Sequence, residues 1–189
     1  MRNPAANERG MSLVEVVVTS VITAGIMFVI GSVLKTAQNN FYLGMTLSGI
    51  QDQSRWAVDK IATEVQQGGV ATFLPDPGVE GTTTLTFQKS AGVTGGVITW
   101  GTAITYAFQY ETGETNDGLD NNSNGLVDEG MVVRIEGTQT SVITRWVKEG
   151  GFLLTRSGNI LSIQLDLQRS DGEGRLLSAR TISSVIVKN

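Results

Sequence analysis

"RGMSLVEVVVTSVITAGIMFVIGSVLK", residues 9–35, is the stretch from which the fold is read. Between Met11 and Leu34 its only ionisable side chain is Glu15. About 24 residues at 1.5 Å each give a helix of about 36 Å, enough to cross the hydrocarbon core of a bilayer. The preceding MRNPAANERG is short and polar and holds Arg2 and Arg9, and Lys35 follows the run. A secretory signal peptide has a shorter apolar stretch and then a small-residue cleavage site. Here the polar piece ends at Gly10 and the apolar run starts at once. Arginines stay on the cytoplasmic side, so the expectation is an anchor whose start faces the cytoplasm. A lone carboxylate at membrane depth costs about 3 kcal/mol on insertion scales. Glu15 therefore needs a reason to be there, and a partner. A plain signal anchor that tolerates a Glu near the interface is the alternative.

Working outward, the helical pattern continues past the apolar run. Leu43, Leu47, Ile50, Ser54, Ala57, Ile61 and Val65 recur at three- and four-residue spacing, the stripe of an amphipathic helix with one buried face. Asp52, Arg55, Asp59 and Glu64 mostly fall off it. Gly68-Gly69 is the expected stop. One helix from Ser12 to Gln67 would be roughly 80 Å long. Gly25, Gly31, Gly44 and Gly49 are places where it could bend.

From Thr82 the period changes to two. Leu85 and Phe87 alternate with polar residues, as do Ile104, Tyr106, Phe108 and Tyr110, and Leu161, Ile163, Leu165 and Leu167. These are half-buried strands. Glycine-bearing links are expected at Gly137, Gly150-Gly151, Gly158 and SDGEG, 170–174. Short links predict an antiparallel meander, and the helical stripe at 43–65 is the available cover for its apolar face. The expected fold is α+β, a long N-terminal helix packed on a twisted antiparallel sheet. The expected segments are a leader at 1–10, a transmembrane segment at 11–34, an amphipathic segment at 35–69 and a sheet domain at 70–189. Trp100 and Trp146 read as packing residues. Arg145, Lys148 and Arg156 read as scattered and solvated.

Gly10, then Met11-Ser12-Leu13-Val14-Glu15, then an apolar run, resembles the processing site of type IV pilins and pseudopilins. The stretch QDQSRWAVDKIATEVQQGG, 51–69, resembles the helix end of PilW-like minor pilins and of the J-type minor pseudopilins of type II secretion. The closing ISSVIVKN resembles their C-terminal strand. The resemblance implies cleavage by prepilin peptidase between Gly10 and Met11 and N-methylation of Met11. That family usually has Phe where this chain has Met11. The new ammonium of Met11 would pair with Glu15 of a neighbouring subunit, because burying either charge alone is costly. The implied partners are other pilin or minor pilin subunits, the peptidase and inner-membrane lipid. The implied place is the bacterial inner membrane, single-pass, with the soluble domain periplasmic or extracellular, and then the pilus fibre or its tip. Two alternatives stand beside the PilW-like reading: a minor pseudopilin of a type II secretion system, and a pilus-tip adhesion module.

The composition narrows the chemistry. The 189 residues include no Cys and no His, which removes disulfides, thiol nucleophiles, Ser-His-Asp triads and Cys or His metal sites. Without His, a serine nucleophile needs another base, and no such spacing is present, so no enzyme activity is expected. The net charge of −4 carries no basic footprint for nucleic acid. Oxygen-ligand metals remain. The loop ETGETNDGLDNNSNGLVDEG, 111–130, holds six acids, and no Lys or Arg occurs from Ser90 to Val133. Asp120, Asn122 and Asn124, followed by Gly125, have the spacing of a calcium loop. Leu126 would offer its carbonyl and Asp128 a ninth-position ligand. At the twelfth place, where an EF-hand has Glu, stands Met131. The pattern is closer to shorter loops of dockerin or thrombospondin-repeat type, with Glu129 folding back as the missing ligand. Weak calcium binding is the expectation, and a metal-free, solvated hairpin tip is the alternative.

Overall fold

The structure is a computed structural model and describes residues 11–171 and 174–188. The leader, with Gly10 of the expected cleavage site, lies outside the described residues. One helix, α1 (Leu13–Val65), is followed by β1 (Thr84–Thr94), β2 (Val97–Tyr110), β3 (Gly130–Glu136), β4 (Gln139–Ser157), β5 (Ile160–Ser170) and β6 (Leu176–Ile186). The strands form one antiparallel sheet in sequence order, β1-β2-β3-β4-β5-β6. The expected α+β architecture, a long apolar helix packed on an antiparallel sheet, is the observed one.

The chain divides into two compact units, Met1–Gly44 and Met45–Asn189. The division falls inside α1 and not at its end. The reason is packing: Ile50, Ser54, Ala57, Val58, Ile61, Ala62 and Val65 are the buried residues of the helix. They share one core with the inner face of the sheet, where Phe87, Tyr106, Phe152, Leu154, Ile163 and Leu165 are almost wholly enclosed. Each fully buried side chain of this size contributes about 1.5–3 kcal/mol. Leu43 and Leu47, at the head of the predicted stripe, are only half-buried. Ser54 is fully buried, and its hydroxyl donates to Thr181 Oγ1 on β6 at 2.7 Å. A polar residue is thereby accommodated in an apolar stripe.

The predicted links at Gly137 and Gly158 join β3 to β4 and β4 to β5; the predicted link at 170–174 falls between β5 and β6, with 172 and 173 outside the described residues. Gly150-Gly151 is different: it lies within β4, as a bulge where the pairing with β5 jumps from Val147↔Leu167 to Phe152↔Leu165. Gly150 has φ +66°, and a Cβ on Gly151 would meet Asp166 O at 2.8 Å, so both glycines serve the bulge. The hairpin between β1 and β2 turns instead at Gly95-Gly96, both with positive φ. At the other end of the core, α1 stops at Val65, and Gly68 bridges to Lys89 while Gly69 bridges to Lys188.

Candidate functional site

Two places hold the residues singled out by the sequence: the first turn of α1 and the loop between β2 and β3. At the first, Ser12 precedes the helix, and its Oγ accepts the N–H of Glu15 at 3.3 Å. Ser12-x-x-Glu15 is thus the sequence form of a capping box, with an acid at the positive end of the helix dipole. That local signal is carried by Ser12 and Glu15 alone and is independent of the apolar run that follows. Among the described residues, α1 is the one helix long and apolar enough to span a membrane. Its apolar side chains face outward, with Leu13 80% and Phe28 79% exposed, and none of the described residues covers them. Its hydroxyls are turned back on the helix: Thr19 donates to Glu15 O, Ser20 to Val16 O at 2.7 Å, Ser32 to Val29 O at 2.8 Å and Thr36 to Ser32 O at 3.0 Å. Hydroxyls bonded this way present little unpaired polarity to an apolar surrounding. Met11 is exposed one turn before Glu15's end of the helix proper, and Gly10 lies outside the described residues.

The loop 111–130 is held by its own polar groups. Asp120 accepts the N–H groups of Asn124 at 3.1 Å and Gly125 at 2.8 Å. Asn122 Oδ1 accepts the Asn124 N–H at 3.0 Å, and Asn124 Oδ1 accepts the Leu126 N–H at 2.8 Å. Gly125 has φ +85°, the conformation that its place in the turn requires. Leu126 is buried. Glu129 does fold back: its Oε1 accepts from Asn122 Nδ2 at 2.8 Å and Asn124 Nδ2 at 2.5 Å. Asp128 faces elsewhere, toward the amides of Asp117 at 3.1 Å and Gly118 at 3.0 Å. The structure therefore brings Asn122, Asn124 and Glu129 together, leaves Asp120 on the backbone of the turn and turns Asp128 to the amides of Asp117 and Gly118. Glu114, not among the predicted ligands, joins the first group: its Oε1 accepts the Asn122 N–H at 2.8 Å. Among the described residues, no group of three or more carboxylates is gathered as a ready-made metal cage.

The basic residues are less idle than their scatter implied. Arg145 pairs with Glu111 at the start of the loop. Arg156 is half-buried, donates through Nε to Asp76 Oδ1 at 2.7 Å and through Nη1 to Gly158 O at 2.6 Å. Trp146 has φ +59° at a β4 irregularity and lies under the Arg169 guanidinium, 4.7 Å from the ring centroid. Trp100 packs against Gly69, where a Cβ would collide with its ring. Glu64, near the end of α1, accepts from Tyr106 Oη at 2.9 Å and Arg134 Nε at 2.8 Å, with Lys89 Nζ 3.4 Å away. Burial pushes the Glu64 carboxyl up, but the hydrogen bonds from Arg134 and Tyr106 and the two positive charges outweigh it and hold it below the usual range. Sequence spacing put Glu64 off the buried stripe, and its partners lie on three different strands or links.

No protein-family model matches this chain, and comparison with curated proteins and with solved structures yields no significant match.

Proposed function

We propose that this chain is a minor-pilin-like structural subunit, PilW-like in kind, that is cleaved after Gly10 and packs its N-terminal helix into a type IV pilus fibre or its priming complex. The observation that carries the reading is Glu15: the sole ionisable side chain between Met11 and Leu34, on an outward-facing apolar helix. In lipid that carboxylate is costly. In a fibre it meets the Met11 ammonium of a neighbour, and each charge makes the other tolerable. The outward apolar side chains first contact lipid and then neighbouring helices. The sheet and the second half of α1 share a core of their own, so the exposed part of the helix is free to serve assembly. A minor pseudopilin of a type II secretion system uses the same parts, and the neighbouring genes separate the two.

The test is incorporation. Glu15→Ala should insert into the membrane at least as well as wild type and be depleted from sheared fibres. A variant found in fibres at the wild-type level sinks the pairing.

A further inference from the structure

The loop 111–130 buries acid that no cation among the described residues neutralises. Glu129 is 0% exposed and Glu114 5%. Each has one oxygen in a hydrogen bond with Asn122, at 2.8 Å in both cases. The second oxygens, Glu114 Oε2 and Glu129 Oε2, are buried without a hydrogen-bond partner. Glu111 Oε2 is in the same position, but Arg145 balances that carboxylate. Among the described residues, neither Glu114 nor Glu129 takes part in an ion pair. A buried carboxylate without a counter-charge is strongly unfavourable. The orphan oxygens are therefore an observation separate from the spacing of Asp120, Asn122 and Asn124, and both point to a cation.

We propose that the loop 111–130 binds one calcium-class divalent cation, whose charge is matched by Glu114 and Glu129 beside Asn122. The chemistry of the site selects the ion. The donors are all oxygens, as calcium requires, and the chain has no His or Cys to favour zinc. Two carboxylates balance a double positive charge. Calcium takes about 6–8 oxygens in a flexible shell, which Asn amide oxygens, loop carbonyls and water can complete. Magnesium demands a tighter octahedron and keeps its water, and it fits an enclosed pair of carboxylates poorly. A lysine tip from another protein cannot reach oxygens this enclosed, whereas a bare ion can be surrounded as the loop closes. The consequence is a staple. Glu111 N–H donates to Glu129 O at 3.1 Å where the loop leaves β2 and enters β3, and Glu114 N–H donates to Glu111 O at 2.9 Å. An ion between Glu114 and Glu129 ties the loop down at that neck. This inference does not rest on the fibre reading.

The experiment uses the full chain in detergent micelles, stripped with chelator. Calcium chloride is titrated calorimetrically, and thermal melts are followed with calcium, with magnesium and with chelator. Wild type should bind one calcium with a Kd of about a millimolar or tighter and melt higher in calcium than in magnesium. Glu129→Gln and Glu114→Gln should each lose at least about tenfold in affinity and most of the shift, since ligand charge sets affinity. Both should melt no lower than wild type in chelator, because an unneutralised charge is gone. Glu80→Gln, an exposed acid outside the loop, should behave as wild type. No binding heat in wild type, an equal shift with magnesium, or wild-type affinity in both Gln variants overturns the proposal.

Discussion

Glu15 has two explanations at the level of a single residue, and their magnitudes separate them. As an acid in the first turn, beside the Ser12 cap, it stabilises the helix by about 0.3–1 kcal/mol. At membrane depth it costs about 3 kcal/mol on insertion scales. Under the fibre reading capping alone does not offset that cost, and the Met11 ammonium of a neighbour supplies the counter-charge. Glu15→Gln distinguishes the roles, because Gln serves a capping box as well as Glu does. Under the fibre reading Glu15→Gln is depleted from fibres like Glu15→Ala, and normal incorporation of the Gln form assigns Glu15 to capping. Glu64 offers a second residue-scale test. Its carboxyl titrates below the ordinary value of 4.5 in the fold, so its stabilisation is complete above that value and is lost as pH falls through the lower folded value. Glu64→Gln leaves Arg134 and Lys89 without their shared anion and should cost about 2 kcal/mol at neutral pH. The deficit should shrink below about pH 4, where wild type is losing the same charge. Denaturant titrations of both proteins at the two pH values measure this. A deficit independent of pH contradicts the ion cluster.

At the level of elements, the period of the apolar residues carried most of the fold. The stripe at Ile50, Ser54, Ala57, Ile61 and Val65 is buried as its spacing implies, and the alternation at Leu161, Ile163, Leu165 and Leu167 marks the inner face of β5. What periodicity could not separate is a glycine that ends a strand from one that bends it. Gly150-Gly151 and Gly95-Gly96 are the same dipeptide, yet the first is a bulge inside β4 and the second a hairpin turn. The difference lies in whether Val147 and Phe152 find the same neighbour strand on both sides, which is a long-range fact. Glycines also differ in what surrounds them, and that gives an element-scale prediction. Gly49 sits in α1 with nothing within 4 Å of a built Cβ, so Gly49→Ala should stabilise the chain by about 0.5–1 kcal/mol. Gly130 opens β3 under the Phe108 ring, which a Cβ would meet at 2.5 Å, so Gly130→Ala should destabilise by about 1–3 kcal/mol. Thermal melts of the two variants with opposite signs are expected. Two shifts of the same sign would refute the packing described for one of them.

For the whole molecule, the sequence showed where the acids are but not which of them the fold buries. The meeting of Asn122 and Asn124 with Glu129 follows the expected fold-back of Glu129, whereas Asp120, which fits the same spacing, holds the backbone of the turn. Glu114 was not legible from spacing, because its approach to Asn122 depends on how the loop doubles back on β2 and β3. Asp128 fitted the spacing, yet φ +51° carries its carboxylate to the amides of Asp117 and Gly118. That α1 is long and apolar enough to span a membrane, by contrast, is a property of composition over a long stretch and needs no tertiary information. The fibre reading joins that helix to Glu15 through one covalent event, cleavage before Met11. Intact-mass measurement of the protein taken from its native membrane tests that event directly. The expected species is residues 11–189 carrying one added methyl group at the Met11 nitrogen, and a mature chain that retains Arg9 contradicts it.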